Sequence, residues 1–162
     1  MWPLVFALFA QAPTDLPRFD QFRVTETFDG APTRPRLQTA NQNMYRTEIR
    51  SGALGIPNFA GHFTVILWGC GSACLGGAIA DARTGDVVDL PFRNVGAGAG
   101  YQFADGTVAL QENWQMISFK PDSSLLIVRG CLNDDAQKCA IYFYQWHAHR
   151  VRLLRSIRAR PA

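Results

Sequence analysis

The stretch Phe63–Leu90, FTVILWGCGSACLGGAIADARTGDVVDL, places Cys70 and Cys74 between two apolar runs. His62 to Trp68 reads as one strand. Ala78 to Ala82 and Val87 to Leu90 read as two short ones, split by the turn Arg83-Thr84-Gly85-Asp86. The same order of features returns later as LLIVRGC (125–131), LNDDAQK (132–138) and CAIYFYQWHAHRVRLL (139–154). Each copy has an apolar strand ending Gly-Cys, a polar loop, a second cysteine, a second strand, a turn and a third strand. Cys70 corresponds to Cys131, and Cys74 to Cys139. Two three-stranded antiparallel meanders result, each with its first hairpin pinched by a cysteine pair.

Cysteines at the mouths of adjacent antiparallel strands lie within disulfide reach. Local bridges Cys70–Cys74 and Cys131–Cys139 are therefore expected, with a bridge between the two units as the rival pairing. The loop-entropy relation gives such rings about 2 and about 2.6 kcal/mol. A four-thiolate zinc site brings each pair as C-x₂₋₄-C, which the second pair, C-x₇-C, does not fit. A redox C-x₃-C would use a helix N-terminus to lower its thiol pKa, and strands flank this one.

Outside these units, Phe22, Val24 and Phe28 suggest a short strand ending at Asp29-Gly30. In ANQNMYRTEIRSGALG, Asn41 is a plausible N-cap, and Tyr45, Ile49 and Ala53 recur at helical spacing up to Gly52. The GAGAG run at 96–100 reads as a flexible loop, and Asp105-Gly106 as a hairpin turn. Trp114 to Phe119 reads as a further strand. The fold class is mainly β: two blade-like meanders of three to four strands packed as a sandwich, with one N-terminal helix. The repeat units span about 61–92 and 114–156.

The N-terminus has nine apolar residues, Trp2 to Ala10, then Gln11, Ala12 and Pro13. That length suits the h-region of a signal peptide and is shorter than the ~20 residues of a membrane span. A signal peptide within 1–12 is expected, leaving 13–162 as a single β domain in the periplasm or outside the cell. The compartment is oxidising, which agrees with paired cysteines. Five of the 16 basic residues, Arg150, Arg152, Arg155, Arg158 and Arg160, fall in a C-terminal stretch without an acid. The other 11 basic residues stand against 13 acidic ones. A basic tail suits nucleic acid, anionic lipid or an acidic partner, or is a solvated strand end followed by a frayed terminus; no nucleic-acid motif accompanies it and no aromatic residues interleave it.

The block Asn58 to Phe63, Trp68 to Gly71, Cys74, Asp81 to Gly85 and Asp122 to Val128 resembles the pattern of a family of uncharacterised exported bacterial proteins. That pattern is Asn-Phe-Ala-Gly-His-Tyr, an apolar strand, Trp-Gly-Cys-Gly, a second Cys, Asp-Ala-x-Thr-Gly, then Asp-Ser-x-Leu-Leu-Ile-Val. The likeness covers roughly 45–155 and implies export and no particular activity. Val95 to Glu112 departs from it as an insertion, and His147-Ala148-His149-Arg150 fills a turn where glycines are expected. ISFKPDSSLLIVRG and DARTGDVVDL are similar to parts of a β-propeller blade. A closed propeller needs at least four blades, for which the chain is too short.

No catalytic set is present: there is no G-x-S-x-G, no H-E-x-x-H and no phosphate loop opening a helix. The chain reads as a disulfide-stabilised, non-catalytic recognition or inhibitor-like module without a cofactor or metal. Its partner is an unknown protein or envelope polymer, acidic in character. Candidate binding residues are His62, Trp146, His147, His149, Arg152, Arg155 and Arg158. His62 also fits a buried histidine bonded to backbone, and Trp68 and Trp114 fit the core or its rim. Histidines two apart in a strand point the same way and could grip a metal, or line an exposed turn. Asp134 and Asp135 are too few carboxylates for a calcium site. The competing reading is a small metal-binding or redox protein using His62, His147, His149 or the Cys70/Cys74 pair.

Overall fold

The structure, a computed structural model, describes residues 15–162; the expected signal peptide lies outside the described residues. After a 3₁₀ turn at Phe19–Phe22 come α1 (Ala40–Met44) and α2 (Arg46–Ala53). Strands β1 (Phe63–Gly69), β2 (Cys74–Asp81), β3 (Val87–Asp89), β4 (Val95–Gly96) and β5 (Tyr101–Gln102) follow. Then come β6 (Ile117–Ser118), β7 (Leu125–Leu132), β8 (Cys139–His147), β9 (Arg150–Arg158) and β10 (Arg160–Pro161).

The two meanders are present. β1, β2 and β3 pair antiparallel in one, and β6, β7, β8 and β9 in the other. Short β4 joins them by pairing with β2 on one side and β7 on the other. All eight strands thus share one hydrogen-bonded sheet, running β1-β2-β4-β7-β8-β9 along its main path. In a flat sheet β1 and β8 would lie four steps of about 4.8 Å, roughly 19 Å, apart. Yet the rings of Phe63 on β1 and Trp146 on β8 meet at 4.9 Å between centroids. The sheet is therefore folded over at β4, and its halves pack face to face.

Alternation explains the layers. Along β8, Tyr142, Tyr144 and Trp146 face the central core with Val65 and Ile79 of the other half. Ile141 and Phe143 face the other way, where Phe19, Phe22 and Phe103 cover them. Ile66 and Trp68 of β1 point outward and are covered by Ile49 and Ala53 of α2. Each such side chain contributes about 1.5–3 kcal/mol on full burial. The molecule is layered as helix, half-sheet, half-sheet and loop cover, with apolar residues filling each interface.

Both cysteine pairs form the expected local disulfides, Cys70–Cys74 and Cys131–Cys139. Cys131 and Cys139 lie directly opposite each other in the β7–β8 ladder. Both bridges and β4 sit at one end of the folded sheet, the cysteine end. His62, Asp81 and Trp146 sit at the other.

Three local readings need correction. The helix is capped by Thr39, whose side chain accepts from the Gln42 N–H, and not by Asn41. It also breaks at Tyr45, whose ring stacks on Trp68 at 4.4 Å. Phe22 ends a 3₁₀ turn rather than forming a strand, and Arg23 makes a single bridge to Ser123. The C-terminus does not fray, because β10 pairs with β5.

Candidate functional site

His62 follows Gly61 at the entrance to β1, and Asp81 closes β2 beside it. The imidazole is buried, with Nδ1 2.9 Å from Asp81 Oδ1 and Nε2 3.3 Å from Glu26 Oε2. Asp81, 3% exposed, also accepts the Arg83 backbone N–H at 2.8 Å. Its partners are thus carboxylates, not the backbone carbonyl expected from sequence. Arg83 adds a 3.5 Å contact to Glu26. The arrangement fastens the segment carrying Glu26 across the sheet end.

Trp146 is buried against Phe63, and His149 lies 6.2 Å from the Trp146 ring. They border a cavity of about 10 Å³ together with Asp81 and Asp86, room for roughly one water. A hydrogen bond from Arg36 is the main reason Asp86 titrates below its ordinary value; His149 adds a smaller electrostatic contribution. His62, Trp146 and His149 therefore converge, but around packed rings rather than a substrate-sized space.

His147 ends β8 opposite Arg150, while Ala148 and His149 form the turn. Both turn residues have positive φ, 49° and 58°. The two histidines do not share one face of a strand, so the geometry imagined for a metal grip is not formed. Among the described residues, no group of three metal-ligating side chains is found. Asp134 accepts from Asn94, and Asp135 caps the 3₁₀ turn at Ala136–Lys138.

The arginines lie along β9, at the edge of the sheet. Arg152 donates to Gln145 at 3.2 Å. Arg155 and Arg158 instead line a cleft of about 390 Å³, joined by Arg160 of β10. Apolar lining comes from Leu16, Phe103 and Ile157. Arg160 belongs to this group but was not among the candidates; its pairing into β10 gives no pattern in a two-residue strand.

No family model, curated protein or solved structure matches the chain. Among the described residues, no helix is long and apolar enough to cross a membrane.

Proposed function

We propose that this disulfide-stabilised domain is an exported, non-catalytic recognition module of the bacterial envelope, inhibitor-like in action, that holds an acidic partner along β9. The supporting observation is the arginine set Arg150, Arg152, Arg155, Arg158 and Arg160, which occupies an edge strand and its extension without an intervening acid. The resemblance to exported proteins and the paired cysteines support the compartment. A rigid, bridged sheet suits binding by pre-organisation, since little is ordered when the partner arrives.

Such a field reaches about 8 Å at physiological salt, so association is salt-sensitive. The test exchanges Arg152, Arg155 and Arg158 together for glutamine and titrates poly-L-glutamate by fluorescence anisotropy. Weaker binding, and loss of the salt dependence, is expected. Charged edge strands also discourage pairing with other chains. A triple variant that keeps its poly-L-glutamate binding but self-associates in sedimentation would show that the arginines guard the edge and nothing more.

A further inference from the structure

We infer that the cleft between β9–β10 and the 102–106 segment is a binding site for an extended acidic peptide segment of a partner protein. Arg158 and Arg160 take its carboxylates, and Leu16 and Ile157 take its apolar side chains. The inference rests on the reading of β9 as a recognition surface and gives that surface a place and a ligand chemistry.

The cleft is built by a register change. Val151 lies opposite Trp146 and Leu153 opposite Tyr144, on the central-core face. Two residues later Arg155 lies opposite Phe143, and Ile157 opposite Ile141, on the other face. The pairing advances two residues on β9 and one on β8, so Leu154 is an extra, bulged residue. Directly opposed residues share a face of the sheet. Without the bulge, Arg155 would meet Tyr142 and lie on the opposite face of the sheet, away from the cleft. Bulges re-aim side chains in this way. Here the bulge delivers a guanidinium and an isoleucine, two residues apart, to one cleft.

The carboxylate of the neighbouring turn does not pair with Arg158 or Arg160. Asp105 follows Phe103 and Ala104, but its Oδ2 is taken by Arg129 Nε at 2.6 Å. Its Oδ1 accepts from the Thr107 amide and hydroxyl. Among the described residues, none of the ion pairs involves Arg158 or Arg160. Both are exposed.

The ligand class follows from the mixed lining and the edge position. Among the described residues, the outer backbone groups of β9 have no strand partner in the sheet order, and an extended peptide can use such groups. A strand alternating acidic and apolar residues carries both kinds of side chain that the mixed lining takes. Phe103 is 2% exposed and offers no face on which a base could stack, which disfavours a single-stranded nucleic acid. At about 390 Å³ the cleft lies in the size range of ligand pockets, roughly 300–1,000 Å³, and admits a short segment rather than a folded domain.

The test uses the full chain and a fluorescent peptide alternating glutamate and leucine, with a glutamine–leucine peptide as control. The acidic peptide should bind and the control should not. R158Q/R160Q should weaken binding by about tenfold, while R150Q/R152Q, outside the cleft, should change it by less than about twofold. R158E/R160E should lose the acidic peptide and gain a lysine–leucine one, a swap that structural damage would not produce. Equal weakening by the two glutamine pairs would overturn the cleft and leave β9 recognition standing, as would binding of poly-L-glutamate without the alternating peptide. Displacement of the peptide by inorganic phosphate or by anionic phospholipid vesicles at lower concentration than unlabelled peptide would overturn the ligand class. Failure of every acidic probe would remove both readings.

Discussion

Asp81 shows how a single carboxylate can be kept almost wholly inside. It is stable there because His62 Nδ1 and the Arg83 amide both meet Oδ1. Breaking a buried pair leaves its other member without compensation, which costs about 3–5 kcal/mol. Asp81→Ala should therefore lower stability by about 3 kcal/mol in urea unfolding, and Asp81→Asn, which keeps an acceptor, by less. Equal losses would mean that charge, not the hydrogen bonds, holds His62. Glu26 on the other side of the ring is largely exposed, so Glu26→Gln should cost under about 1 kcal/mol. Ala148 gives the opposite sign. Its φ of 49° is left-handed, where an L-residue pays roughly 1–2 kcal/mol and glycine does not. Ala148→Gly should raise the unfolding midpoint, equivalent to about 0.5–1 kcal/mol, and a fall would show that the methyl group makes a compensating contact. The turn at 147–150 and its want of glycines were legible in the sequence. The partners of His62 were not, because Glu26 and Asp81 reach it from distant points in the chain.

Among the elements, the long strands β1, β2, β7 and β8 were readable because each, seven to nine residues long, is built on an apolar run. The bulge at Leu154 was not, since a one-residue slip leaves two partly exposed neighbours and no break in pattern. Nor was the two-residue β4 within a glycine-rich run, which has no periodicity to show. The helix break at Tyr45 comes from tertiary packing on Trp68, which outweighs a helical spacing that is present in the sequence. The 103–107 hairpin was visible in Asp105-Gly106, but its role depends on Arg129 of β7. Burial pushes the Asp105 pKa up; hydrogen bonds from Thr107 and Arg129, with the guanidinium charge, more than reverse this and leave it below its ordinary value. A folded pKa below the unfolded value of about 3.9 adds stability that is full above that pH and is lost as pH falls through the folded value. Asp105→Asn should therefore be less stable than the native chain at neutral pH. The gap should close as pH drops below about 4 in acid-unfolding curves, because protonation gives the native chain the same neutral side chain. A gap that stays constant to the acid limit would place the loss in packing instead.

At the scale of the whole molecule, the two halves are held by the central core, by the N-terminal segment and by the joint at β4. The N-terminal segment crosses from one outer face to the other: Ser123 Oγ donates to Phe19 O at 2.9 Å, and the Thr33 N–H donates to Ala82 O at 2.8 Å. The joint is tighter. Gly130 on β7 has φ 146°, and a Cβ placed there would sit 2.1 Å from Gly96 O and 2.7 Å from Val95 Cγ2. β7 cannot relax toward β8, because the next residue, Cys131, is bonded to Cys139 across the ladder. A methyl group must therefore push β4 away, and with it the strand that ties β2 to β7. Gly130→Ala should cost about 3 kcal/mol or more, at the upper end for overpacking with left-handed strain added. Gly96→Ala is the matched control. The nearest atom to a Cβ there is Cys131 O at 3.9 Å, so its cost should stay below about 1 kcal/mol. Urea unfolding followed by tryptophan fluorescence measures both, and amide exchange at Val95 and Leu132 reports whether the joint opens before the rest. Accelerated exchange at those amides in Gly130→Ala, with the central β7–β8 amides still protected, is the outcome expected of a hinge. Equal losses in the two variants would mean that any side chain in β4 or opposite it disturbs the joint, and that the close approach at Gly130 is not what sets the angle between the halves.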